Sequence, residues 1–183
     1  MLMEAVLLGA VVGWLRRGKI RQLADLNLPG WPLALLALAI QLAIMIDFNL
    51  GRSFLAPAAP YLHVISYAPL LGFVYLNRSH RGMILVGLGL LLNLIVIAAN
   101  KGFMPVNSAL LTPTMREALL SGTGSPMHMA LTDESILPLL CDQIPIPYRI
   151  DKVISIGDIL LGAGIAVFIQ HHMVFQATGE RRQ

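Results

Sequence analysis

The sequence predicts an all-α fold: a polytopic transmembrane bundle of about five helices, with a long structured extracytoplasmic loop between the last two. Three observations predict it. Apolar residues make up 56% of the 183-residue chain, where soluble domains carry about 45–50% even with glycine counted. Charged residues are 13%, about half of the usual ~25%, too few to cover the surface of a water-soluble protein of this length. The apolar residues also fall in long runs without strand-like alternation, and lipid admits only helices or closed barrels.

Five runs stand out: Met1 to Leu15, Trp31 to Phe48, Tyr61 to Leu76 with Pro69 inside it, Gly82 to Asn100, and Ile156 to Met173. The first is short for a span of roughly 20 residues. It opens with Glu4 and no basic residue, and its basic cluster follows it, the order of an uncleaved anchor with its N-terminus outside the cytoplasm. That orientation puts Arg16, Arg17, Lys19, Arg21, Arg78, Arg81, Arg181 and Arg182 inside, opposed only by Asp25 and Glu180. Outside, Arg52, Lys101, Arg116, Arg149 and Lys152 face Glu4, Asp47, Glu117, Asp133, Glu134, Asp142, Asp151 and Asp158. The asymmetry obeys the positive-inside rule and places the C-terminus in the cytoplasm of a cell, here inner, membrane. The whole chain, 1–183, reads as one transmembrane domain.

The connection over residues 101–155 is too long for an ordinary loop and too rich in leucine and isoleucine for a disordered one. Thr112-Pro113 followed by a polar-apolar octet and Gly122 predicts a short helix over 113–121. Ile144 to Pro147 reads as extended, because proline restricts its predecessor. The segment is expected to form a lid at the outer interface.

Chemistry-bearing residues gather on that side. Gly82, Val86, Gly89, Asn93, Val96 and Asn100 share one helical face, a pattern that packs helices closely and lets asparagine bond across them. Asn100 ends its helix where the lid begins, so it can cap or bind. Ser155 and Asp158 form a capping-box pattern at the start of the last run, and an ionisable residue there is also a functional candidate. Gln41 needs a partner within the bundle. His63 and Tyr67 open the third run, where histidine is ordinarily a satisfied interfacial residue. His128 lies in the lid with no metal-spaced neighbour. His171 and His172 sit at the inner end, where the helix dipole favours them.

With Cys141 as the one cysteine, no intrachain disulfide forms and no Cys/His cluster suggests zinc. The net charge of +3 is too small and scattered for nucleic acid. No motif implies a metal or other cofactor.

The run Asn93 to Asn100, then Gly102 and Met104-Pro105-Val106, then His128, Ser135-x-Leu137 to Leu140-x-Asp142 and Ser155-Ile156-Gly157-Asp158 together resemble a family of small bacterial polytopic membrane proteins known only as a domain of unknown function. The resemblance covers nearly the whole chain. It departs at Lys101 and Cys141, where the family pattern has glycine, and at Ser135, where it has threonine. It implies topology and motif positions and no activity. A fainter likeness is to bacterial lipoprotein signal peptidases, with Asp142 and Asp158 as the only available aspartate pair. The motifs around them do not match.

The leading expectation is a non-catalytic binding or scaffold protein. Its ligand-binding residues would be Asn100, Lys101, His128, Asp142, Ser155 and Asp158, with Asn100, Asp142 and Asp158 converging at the outer face. The bilayer is one partner; a lipid, a small molecule or a membrane protein is the other. The rival is an outer-face hydrolase using Asp142 and Asp158 as general acid and base. A transporter fits less well, since no helix carries charge at its centre.

Overall fold

Punctuation in the sequence sets where the helices start and stop. The computed structural model describes residues 2–147 and 149–179, with the side chains of 149–151 and 175–179 left aside. The helices are α1 (Leu2–Leu15), α2 (Trp31–Asn49), α3 (Ala59–Leu76), α4 (Met83–Ala99), α5 (Pro113–Leu120) and α6 (Ile156–Gly179). Gly30 and Gly82, both at positive φ, precede α2 and α4, and a proline in the first turn opens α2, α3 and α5. Thr112 Oγ1 accepts from Met115 N at 3.4 Å to start α5, and Gly122 ends it at φ 74°.

The five long helices pack in the order α1, α6, α4, α3, α2, so the last helix in sequence lies between the first and the fourth. Small residues permit that insertion. A Cβ on Gly9 of α1 would stand 2.8 Å from the Ala166 carbonyl oxygen, and one on Gly89 of α4 would overlap the Gly157 carbonyl oxygen. Gln41 finds its partner in Ser66 Oγ at 2.9 Å, tying α2 to α3.

Helices α2, α3 and α6 are long and apolar enough to cross a membrane; α1 and α4, at 14 and 17 residues, are apolar but shorter. At about 1.5 Å per residue, only the first three approach the ~30 Å of hydrocarbon. Their outer faces carry exposed leucine and isoleucine, as at Leu35, Leu38, Leu42 and Ile46 of α2. Basic residues meet at one end: Arg16 Nη1 donates to Gln170 Oε1 at 3.0 Å, and Lys19 N to Met173 O at 3.0 Å. His172 stands there too. The dipole expectation missed its specific partners: its Nδ1 donates to the Phe168 carbonyl at 2.8 Å, and its Nε2 is 2.9 Å from His80 Nδ1. Arg181, Arg182 and Glu180 lie outside the described residues.

The segment between α4 and α6 corrects the all-helical expectation. It carries two small sheets. Strand β1 (Met104–Val106) pairs in parallel with β2 (His128–Ala130), and β3 (Ile144–Ile146) pairs antiparallel with β4 (Arg149–Ile154). Asp142 joins the first sheet through a parallel bridge to Val106. Strands of three residues are too short for period-two alternation to show in sequence. Met104 and Cys141 continue the apolar core of Tyr67, Val86, Leu90, Val96 and Ile97 from α3 and α4 into this segment.

Candidate functional site

The site is built where α4 and α6 approach. Ser155 and Asp158 form the capping box their spacing predicts: Asp158 N donates to Ser155 Oγ at 3.0 Å, and Ser155 N reaches Asp158 Oδ2 at 3.4 Å. Asn93 of α4 completes the arrangement. Its Nδ2 donates to Asp158 Oδ1 at 3.0 Å, and its Oδ1 accepts from Ser155 Oγ at 2.9 Å. Gly157 makes room, since any Cβ there would overlap Asn93 Oδ1. Asn93 is therefore interhelical glue and also part of the site.

Asp142 approaches from the other side, held by its backbone. Its N–H donates to Pro105 O at 3.0 Å and its carbonyl accepts from Asn107 N at 2.9 Å. The residue is 6% exposed, and its Oδ1 is buried without a hydrogen-bond partner. Two nearby donors are engaged elsewhere: the Ser155 hydroxyl on Asn93, and the Asn100 amide on Val96 and Ile136. Burial, and after it the charge of Asp158, pushes the Asp142 carboxyl up from its ordinary 3.8 to about 8. At neutral pH it is mostly protonated, with no hydrogen-bond partner at Oδ1.

His63, Tyr67, Asn93, His128, Asp142 and Asp158 line one cavity of about 100 Å³, with Ile97 and Met104 as its apolar wall. At about 30 Å³ per molecule it has room for about three waters. His63 Nδ1 lies 2.8 Å from the Gly102 carbonyl. A carbonyl only accepts, so Nδ1 carries the proton and Nε2 of the neutral ring is left as an acceptor. His128 Nδ1 lies 2.7 Å from Ser125 Oγ. His128 stands in a crevice: water reaches its ring, while protein surrounds it at longer range. That surrounding mass, and then the charge of His63, lowers its pKa. Among the described residues no three His, Cys, Asp or Glu side chains come close enough together to hold a metal ion.

The remaining candidates lie elsewhere. Asn100 caps α4 and clasps the following segment: Nδ2 donates to Val96 O at 2.8 Å and Ile136 O at 2.9 Å, and Oδ1 accepts from Ile136 N at 2.9 Å. It does not line the cavity, so Asp142 and Asp158 come together without it. Ser155 is fully buried behind Asp158. Lys101 is exposed at a turn, with φ 58°. Three polar residues of the cavity were not among the sequence candidates: Asn93 of α4, and His63 with Tyr67 of α3. The four-residue spacing of His63 and Tyr67 on one face of α3 was the available signal, and their partner, Gly102, became a neighbour only through the fold.

Residues 25–170 match the model of a family of unknown function, DUF5317. The chain belongs to this family. The match contains every residue of the cavity and leaves α1 outside. An uncharacterized protein of Thermotoga maritima is 34% identical over 129 residues, which cover 69% of this chain and 73% of that protein. No solved structure matches. The backbone at Lys101 is left-handed, a conformation that glycine adopts without steric cost.

Proposed function

We propose that the chain is a multi-pass membrane protein whose polar cavity, on the extracytoplasmic side, binds the hydrogen-bonding head of a small ligand. All five long helices cross the bilayer in this reading, with the N-terminus outside and the C-terminus in the cytoplasm. The gathering of Arg16, Lys19 and the His80–His172 pair at the end opposite the cavity supports that orientation.

The observation that carries the binding reading is the orphaned Oδ1 of Asp142 on a cavity large enough for a polar group. A buried polar atom without a partner costs about 1–3 kcal/mol, and native folds keep few of them. A ligand head that accepts from Asp142 removes that cost. Native mass spectrometry of the protein extracted from its own membrane tests this. A small molecule should accompany the wild type and be missing from an Asp142→Leu variant that retains its melting temperature. The same bound species on both, or none on the wild type, would sink the reading.

A second reading is an outer-face hydrolase with Asp142 as general acid and Asp158 as base. It is favoured by the different surroundings of the two carboxyls, one unpartnered and raised to about 8, the other accepting from Asn93 and Ser155. This reading requires turnover of an ester or amide amphiphile that both Asp142→Asn and Asp158→Asn abolish.

A further inference from the structure

We infer that the groove beneath α5 holds the chain of a single-chain anionic amphiphile, with its carboxylate or phosphate head between Lys152 and Asp142. The inference rests on the binding reading of the cavity and names the class of ligand.

The groove has a volume of about 410 Å³, within the roughly 300–1,000 Å³ of ordinary ligand sites. It shares Asp142 and His128 with the polar cavity. From there its walls are apolar: Leu111, Met115, Ala118 and Leu119 on one side, Val106 and Val153 on the other. Met115, Ala118 and Leu119 are spaced i, i+3, i+4, so they form one stripe of α5. Arg116 ties the helix to the turn that precedes it, donating from Nε to Ser108 O at 2.8 Å and from Nη2 to Ala109 O at 3.0 Å. The eight residues of α5 therefore roof a trough about 12 Å long at about 1.5 Å per residue, the width of one helix face and suited to one alkyl chain.

The polar end decides the charge of the head. Among the described residues Lys152 is the one cation lining the groove. It makes no ion pair among the described residues, although Glu4 of α1 lies within range of its field. Asp142, with its unpartnered Oδ1, lines the same groove. An anionic head in the groove offers one oxygen to the ammonium and another to the Asp142 hydroxyl, and the neutral His128 does not oppose it. A cationic head would meet Lys152 directly. A neutral head would gain nothing from that charge.

The test titrates the full-length protein in a neutral detergent with methyl, butyl, hexyl and octyl phosphate, with the heat from empty micelles subtracted. Each methylene buried in the groove should tighten binding about fourfold, from ~0.8 kcal/mol per CH₂. Lys152→Gln should weaken octyl phosphate at least tenfold. Met115→Trp, which fills the trough from a partly exposed position, should abolish the chain-length dependence and leave methyl phosphate unaffected. Octyl carboxylate binding like octyl phosphate extends the result to either anionic head. Methyl phosphate binding with no gain along the series overturns the groove and leaves the cavity reading standing. Octyltrimethylammonium binding as tightly as octyl phosphate overturns the anionic head. Methyl phosphate bound equally by Asp142→Leu overturns the cavity reading itself.

Discussion

Asn93 Nδ2 donates to Asp158 Oδ1 across 3.0 Å, joining α4 to the first turn of α6. The same Asn93 accepts from Ser155 Oγ, so one side chain satisfies both members of the capping box. A helix N-terminus, its cap and a neighbouring helix are thereby locked in a single register, and the face left over becomes a wall of the polar cavity.

Replacing Asn93 with leucine removes both bonds and leaves Ser155 Oγ and one Asp158 oxygen without their partner. The expected cost is about 1–3 kcal/mol for each group so stranded. Denaturation in mild detergent should show a lower midpoint for Asn93→Leu than for leucine at the exposed Ile95. Equal midpoints would remove Asn93 from its structural role.

Gly157→Ala tests the close approach. The added methyl would overlap Asn93 Oδ1 and come within 2.8 Å of the Gly89 carbonyl oxygen, so α4 and α6 must separate. Overpacking of this kind costs about 1–3 kcal/mol. Gly122→Ala, where no atom lies within 4 Å of the new methyl, is the comparison for space alone; its positive φ adds only a local backbone cost.

The Asp142 carboxyl makes stability depend on pH with a definite sign. Its folded pKa, about 8, lies above its ordinary 3.8, so the folded state binds the extra proton between those values. Its contribution is fully present below about pH 4 and is lost as pH rises through about 8. Asp142→Asn should flatten that decline and melt above the wild type at pH 8. A difference in melting temperature that stays constant from pH 4 to pH 8 would contradict the burial argument.

Lys101→Gly should stabilise the protein. The left-handed backbone at φ 58° costs an ordinary residue about 1–2 kcal/mol, and the exposed lysine offers no buried contact in return. Part of that gain is offset by the greater freedom of glycine in the unfolded chain. A net rise in the denaturation midpoint is expected, and a fall would show that the Lys101 side chain is needed.

The proposed topology predicts that a reporter fused after Gln183 is active only if it functions in the cytoplasm. Activity restricted to an extracytoplasmic reporter would invert the assignment, and with it the side on which the cavity opens.

The helices were legible in the sequence because each is encoded locally: an apolar run, a proline or glycine at its start, a serine or threonine cap. The capping box at Ser155 and Asp158 and the short α5 were readable for the same reason, and so was the small-residue stripe on α4. Length separated α2, α3 and α6 from the shorter α1 and α4, a distinction that composition blurs. The sheets escaped notice because three-residue strands carry no period, and because β1 pairs with β2 across more than twenty intervening residues. The site was legible only in part. That Asp142 and Asp158 matter could be argued from the burial of charge, but which asparagine joins them could not. Asn93 and Asn100 lie on the same face of one helix, seven residues apart. The approach of Gly157 brings Asn93 to Asp158, while Ile136 of the following segment takes Asn100. His63 and Tyr67 enter by the same route, from a helix distant in sequence. Local sequence sets which segments are helical and where they end; only the packed structure decides which polar groups find partners, because hydrogen bonds between elements depend on distances that no single element contains.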